Sequence, residues 1–287
     1  MSTQITTAFV EQYSSNIQML SQQKGSLLRD KVRLETVVGK NAFFDQVGSV
    51  TATVRSSRHS DTPQSDTPHS RRRVSLVDYE FADLIDDLDK VRMLADPTSS
   101  YAQAAAYAMG RAMDDAVIAA ATGTAYTGVA GGTSTTLPAG QIIAEAGTGR
   151  MTIAKLRSAK EILDLADVDP SLPRYIVVGP KQITDLLGTT EVTSSDYNVV
   201  KALASGDVNS FLGFNFVVSN RLAAASSIRD CIAFVNDGIA LAVGKDVTAR
   251  IDERADKGYA TQVYYSAAFG ATRMEESKVV KIQAYEG

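Results

Sequence analysis

"DPTSSYAQAAAYAMGRAMDDAVIAAATG", residues 96–123, is the stretch on which the fold turns. Pro97 followed by Thr98, Ser99 and Ser100 is a helix start signal, because hydroxyl oxygens there accept from the first unpaired backbone N–H groups. Gly123 supplies the stop. The spacing predicts one helix over 99–122, about 23 residues rising about 1.5 Å each, a rod of roughly 35 Å. Alanines occupy several of its faces, so neighbouring elements can approach closely along much of its length.

Upstream lies "RHSDTPQSDTPHSRRR", residues 58–73, in which a polar pentad ending at Gln64 is repeated through His69 and followed by Arg71, Arg72 and Arg73. Nothing between Arg55 and Arg73 is a large apolar residue, so the segment has no core of its own to bury. "VGSVTATVR" (47–55) alternates Val50, Ala52 and Val54 with Ser49, Thr51 and Thr53 and predicts a half-buried strand. "RRRVSLVDYEFADLIDD" resumes an extended pattern through Val74, Leu76 and Val77 before turning helical. Strand, polar excursion and strand together predict an extended two-stranded loop. Further upstream, Phe9, Val10, Tyr13, Ile17, Leu20, Leu27, Leu28, Val32 and Leu34 have helix-like spacing broken near Gly25. They suggest an arm that packs on something else.

Downstream, "TGTAYTGVAGGTSTTLPAG" (122–140) reads as a Gly/Ser/Thr loop and the best internal boundary. The texture then alternates. "MTIAKLRSAKEILDLADV" predicts a helix, "RYIVVGP" a strand, "KQITDLLG" a short helix, and "FNFVVSN" and "CIAFVNDGIALAVG" further strands: an α/β block with a mixed sheet. "YATQVYYSAAFGATRMEESKVVKIQAYE" returns to long strands joined by a polar turn at Glu275, Glu276 and Ser277. The chain is therefore expected to be α+β, with an α/β block inserted between the long helix and its strand partners.

The 287 residues are 44% hydrophobic and 22% charged, with a formal net charge of -4, which gives no global attraction to nucleic acid or anionic membrane. No run of apolar residues is long enough to span a membrane, and the N-terminus lacks a basic start followed by an apolar core. Cys231 is the only cysteine, which excludes an intramolecular disulfide and a multi-cysteine zinc site; it reads as a small buried apolar residue.

Candidate chemistry is sparse. The glycines of 123–140 lack the Lys of a phosphate loop, since no Lys or Arg lies between Thr122 and Gly149, and no strand precedes them as a dinucleotide fold requires. His59 and His69, with Asp61 and Asp66 between them, lie in a segment without the rigidity a metal site needs. No G-x-S-x-G elbow supports a Ser–His pair. "DYEFADLIDDLDK" clusters Asp78, Glu80, Asp83, Asp86, Asp87 and Asp89: either a solvated acidic face or the receiver of Arg71–Arg73, within one subunit or across two. Lys24, Arg29, Lys31, Arg33 and Lys40 of the arm read as a solvated face or a weak contact with a nucleic acid backbone. No catalytic, cofactor or metal residue is assigned.

Two stretches carry a resemblance. "SDTPHSRRRVSLVDYEFADLIDDLDKVRMLADPTSSYAQAAAYAMGRAMDDAVIAAATGTAYTG" (65–128) and "GYATQVYYSAAFGATRMEESKVVKI" (258–282) are similar to stretches of the major capsid proteins of tailed bacteriophages, and the order of elements over nearly the whole chain resembles their HK97 fold. The resemblance implies an N-terminal arm (1–46), an extended loop (47–80) lying across the adjacent subunit, a peripheral domain (81–148 and 246–287) with spine helix 99–122, and an axial domain (149–245). It implies hexamers and pentamers in an icosahedral virion shell, assembled in the bacterial cytoplasm around double-stranded DNA that is held by weak non-specific contact. A separate scaffolding protein and a portal would be partners, because the chain starts almost directly with its arm; no membrane is implied. Arg55, Arg58, Asp61, Asp66, Arg71, Arg72, Arg73, Asp83, Asp86 and Asp87 are the expected intersubunit contacts. Lys40 and Asn41 lie near the loop, but nothing marks them for the isopeptide cross-link some members form. An encapsulin-like compartment is the alternative within the fold, and an α/β enzyme with a small-molecule site the alternative outside it.

Overall fold

The computed structural model describes residues 21–55, 57–59, 61–62, 64–85, 98–144, 149–188 and 210–287. The chain divides into two compact units, Met1–Ser26 with Asp78–Arg111 and Lys245–Ala268, and Leu27–Val77 with Ala112–Gly244 and Phe269–Gly287.

The larger unit begins with strand β1 (Arg33–Thr36), preceded by a 3-10 turn at Arg29–Lys31. The buried carboxylate of Asp114 accepts from the backbone N–H groups of Leu27 and Leu28 at 3.0–3.1 Å and pins the chain there. The helix-like spacing of Leu27, Leu28, Val32 and Leu34 therefore resolves as turn and strand. Parallel pairing of β1 with residues 240–243 outweighs a weak local period. The apolar arm positions from Phe9 to Leu20 lie outside the described residues.

Next come β2 (Asn41–Val47) and β3 (His69–Ser75), antiparallel with Asn41 opposite Ser75 and Val47 opposite His69. This is the expected two-stranded loop, but its first strand lies earlier than 47–55. Residues 48–55 form no strand and are exposed. The reason is contact: Ala42, Phe44 and Val74 reach a cluster with Val37, Leu76 and Ala242, while Val50 and Val54 meet nothing comparable.

The long helix α1 is Thr98–Thr122, as the capping signals foretold. The predicted loop after it is instead a hairpin, β5 (Ala125–Thr127) with β6 (Thr133–Thr135). It adds to β3 to give a four-stranded sheet ordered β2-β3-β5-β6.

A seven-stranded mixed sheet fills the rest of this unit. Its strands are β7 (Ile142–Ile143), β8 (Arg174–Val178), β9 (Ser210–Phe211), β10 (Phe214–Val218), β11 (Ala224–Ala225), β12 (Ile228–Val235) and β15 (Val279–Tyr285). The order is β7-β15-β12-β8-β10-β9, with β11 beside β12. Helix α2 (Ile153–Leu165) is capped by Thr152, whose hydroxyl accepts from the Lys155 N–H, and it buries Ile153, Leu156, Ala159 and Leu163. Helix α3 (Pro180–Leu187) starts with Gly179 at its cap and Pro180 in its first turn. Ile176, Val177, Phe214, Cys231, Ile232, Phe234, Val279 and Ile282 are buried. The α/β texture read from sequence is thus present, and its sheet also recruits β7 and β15 from beyond 149–245. The cause is that β12, buried over Cys231–Val235, needs ladder partners on both edges, and β15 supplies seven opposed residues.

The smaller unit holds β4 (Val77–Ile85), whose alternating burial keeps it extended where a helix was expected to begin. It also holds the outer parts of β13 (Ile239–Arg254) and β14 (Ala260–Arg273), a hairpin turned through Ala255–Lys257 and Gly258 in the left-handed region. Gly110 of α1 lies so near the arm that a Cβ there would sit 2.4 Å from the Gly25 carbonyl carbon.

Candidate assembly interface at the extended hairpin

In β2 and β3 the period-2 alternation sorts side chains to two faces. Ala42, Phe44, Gln46, Arg72 and Val74 share one; Phe43, Asp45, Arg71 and Arg73 share the other. On the first face Gln46 donates to the Met274 carbonyl at 2.9 Å. Arg72 is buried and pairs with Glu276, which also receives Arg273 at 3.4 Å. Arg273 is fully buried and spreads its fork over carbonyls of Ala121 (3.0 Å), Gly123 (2.8 Å) and Thr135 (3.0 Å). It thereby satisfies carbonyls left over at the end of α1. Burial lowers its pKa, opposed by the Glu276 charge.

On the second face Arg71 forks onto Asp45, Nε to Oδ1 at 2.5 Å and Nη2 to Oδ2 at 3.2 Å, and lies 5.6 Å from the Phe43 ring centroid. The hydrogen bond from Arg71 holds the Asp45 carboxyl below its ordinary range. Arg73 stacks on Tyr126 of β5 at 4.7 Å and against Gly131. Each of the three arginines thus has a partner inside the subunit, and all three brace the hairpin base. Their partners Asp45, Glu276 and Tyr126 lie far off in sequence, and only the strand pairing reveals them.

The remainder of the expected contact set lies elsewhere. Beyond the Gly48 N–H to Pro68 carbonyl bond of 2.8 Å, the described residues of the tip are exposed. There Arg55 donates to the carbonyls of Ser57 and Arg58, and Asp61 and Asp66 face solvent. The Asp83 carboxylate accepts from the Leu84 N–H at 2.9 Å, and Glu80 accepts from the Tyr264 hydroxyl at 3.0 Å. Asp86 and Asp87 lie outside the described residues.

A cavity in the larger unit is lined by Lys160, Asp164, Asp167, Val168, Pro170, Arg174, Leu212 and Gly213. Arg174 pairs with Asp164 at 2.7 Å, and no nucleophile with an adjacent base lines the space. Cys231 is buried, and desolvation pushes its thiol up to about 12. Among the described residues no helix is long and apolar enough to cross a membrane.

The spine helix, the base-braced hairpin and the mixed sheet define a class, the HK97-like shell subunit. Solved structures of similar fold include the capsid of cyanophage P-SCSP1u (TM-score 0.75, 19% identity, covering 100% of this chain and 96% of that one). The capsid of Ralstonia phage GP4 aligns with TM-score 0.76 at 13% identity over 97% and 96% of the two chains. That of Helicobacter pylori bacteriophage KHP30 aligns with TM-score 0.75 at 11% identity over 98% and 96%. No curated protein matches by sequence. The chain belongs to the phage capsid protein family, whose model matches residues 5–286. It is a major capsid protein, a structural component of the virion that assembles into an oligomeric shell.

Proposed function

We propose that this subunit builds an icosahedral head from hexamers and pentamers around double-stranded DNA, and that it performs no turnover. A separate scaffolding protein and a portal join assembly in the bacterial cytoplasm, and packaged DNA meets the inner wall by weak non-specific contact, in keeping with the net charge of -4. The observation that carries the reading is the hairpin: anchored at its base by Arg71, Arg72 and Arg73, yet exposed over residues 48–55 and over the described residues of the polar segment beyond. A segment with no core of its own finds its packing partner in another copy. Arg55, Arg58, Asp61 and Asp66 are exposed and Asp83 is half-buried; these side chains orient that contact, with Asp86 and Asp87 joining them from sequence. Residues 149–245, completed by β7 and β15, act as the axial domain, and the rest of 81–148 and of 246–287 as the peripheral one.

Deleting residues 57–66 tests the reading. The tip buries little apolar surface, so the variant subunit should melt like the parent by circular dichroism while electron microscopy shows no closed shells. Shells of normal size and yield from the deletion variant would overturn the proposal.

A further inference from the structure

A cleft of about 540 Å³ opens where the C-terminal end of α2 meets the start of β8 and the turn between β9 and β10. Four ionised side chains line it, Lys160, Asp164, Asp167 and Arg174. Arg174 is only 6% exposed; it directs Nη1 to Asp164 at 2.7 Å and Nη2 to the Val168 carbonyl at 3.3 Å. Its buried Nε has no acceptor among the described residues. An orphan donor on a buried guanidinium calls for a partner that the subunit itself does not supply. Lys160 and Asp167 likewise have no hydrogen bond or ion pair among the described residues. The backbone around the cleft is held in costly conformations: Asp167 at φ 53° and Leu212 at φ 52° stand in the left-handed region. Such residues gather where a ligand is clamped.

The balance of charge selects the occupant. Arg174 and Asp164 neutralise each other, which leaves one cation, Lys160, and one carboxylate, Asp167. They lie seven residues apart on and just beyond α2, roughly 10 Å along its axis at about 1.5 Å per residue. A simple anion would meet Lys160 but also two carboxylates, and a simple cation would meet two basic groups. An apolar molecule would strip water from all four charges and replace none of it. A molecule with an anionic and a cationic end serves Lys160 and Asp167 together, each through a charge-assisted hydrogen bond. Val168, Pro170 and Leu212 complete the lining and suit a hydrocarbon stem.

We propose that this cleft binds a zwitterionic ω-amino acid, its carboxylate on Lys160, its ammonium on Asp167 and its methylenes against Val168, Pro170 and Leu212. The same chemistry is offered by a free small molecule and by a lysine at the C-terminus of a polypeptide, whose ε-ammonium and terminal carboxylate stand at the two ends of one stem. The residues of the site belong to the larger unit alone, so the inference does not rest on the reading of the hairpin.

Calorimetric titration of the full-length soluble subunit with 6-aminohexanoate tests it, beside hexanoate and hexylamine, which carry one charge each. The zwitterion should bind saturably with a Kd of about 1 mM, roughly tenfold tighter than either control. Lys160→Met and Asp167→Asn should each weaken it roughly tenfold. Both variants should melt like the parent, since neither side chain has a partner to lose and Asn tolerates the left-handed backbone. If a variant melts lower, the parent's preference for the zwitterion over the two controls still decides. A peptide ending in lysine, compared with the same peptide amidated at its C-terminus, separates the sources. Affinity well above that of 6-aminohexanoate, lost on amidation, assigns a polypeptide end; equal affinities assign a small molecule. The proposal is overturned if neither the zwitterion nor the peptide saturates the protein below about 50 mM. Equal binding of hexanoate or hexylamine, or undiminished binding in both variants, overturns it too.

Discussion

Glu276 carries an unusual load, since one carboxylate serves two buried guanidinium groups, Arg72 and Arg273. Arg72 has no hydrogen-bond partner for Nε or Nη1, so the Glu276 charge is what justifies its burial. Removing one partner of a buried pair costs about 3–5 kcal/mol, and Glu276→Ala should lower stability by about that much, read as a fall in the urea midpoint. Glu276→Gln should fall between. A second carboxylate sets the acid limb. Arg229 forks onto Glu286 at 2.5 and 3.1 Å and Gln182 donates at 3.0 Å; the Arg229 hydrogen bond chiefly holds the pKa below the ordinary 4.5. A carboxylate depressed in the folded state stabilises fully above its unfolded pKa, and the contribution is lost as pH falls through the folded value. Glu286→Gln should therefore weaken the subunit at neutral pH. The gap to the parent should close in melts below pH 4.5.

At the scale of elements, α1 is held to the arm by close approach. A methyl at Gly110 would stand 2.4 Å from the Gly25 carbon and 2.6 Å from the Ser26 nitrogen, both backbone atoms. Arg111 one residue on donates to Gln22 at 3.0 Å and to the Gln23 carbonyl at 3.2 Å. Gly110→Ala should cost about 1–3 kcal/mol by overpacking and expose the arm to protease near residue 25. This helix was legible in the sequence because caps and stop are local signals. The hairpin was legible as a pattern but not in position. Val50, Ala52 and Val54 alternate more cleanly than the run Ala42, Phe43, Phe44, Asp45 and Gln46, and alternation does not say which run finds its partner within the same chain. β5 and β6 were hidden because three-residue strands of Ala, Tyr, Thr and Ser carry no period of their own; pairing with β3 makes them strands. The arginines stood out in the sequence as a cluster, whereas Asp45, Glu276 and Tyr126 become their partners within the subunit only through register. A slip of one residue would turn Arg72 to the opposite face.

For the whole molecule, the family was readable from two long similar stretches, while the compact units were not. Composition changes at residue 149, but the sheet crosses that boundary through β7 and β15. A fragment of residues 149–245 should consequently aggregate or give poorly dispersed amide spectra, because the β12 edge that faces β15 is left bare. Joining residues 277–287 to it by a flexible linker should restore dispersed spectra; a well-dispersed 149–245 fragment would show that β15 is dispensable.

The place of β15 also bears on how the protein is made. A ribosome delivers β12 about fifty residues before its partner, so the central sheet stays incomplete through most of translation. Folding of the larger unit can finish only once residues past Tyr285 have cleared the exit tunnel. A nascent or prematurely terminated chain lacks an interior strand and cannot present a finished subunit. The order of strands thus makes completion of the seven-stranded sheet depend on translation to the end of β15.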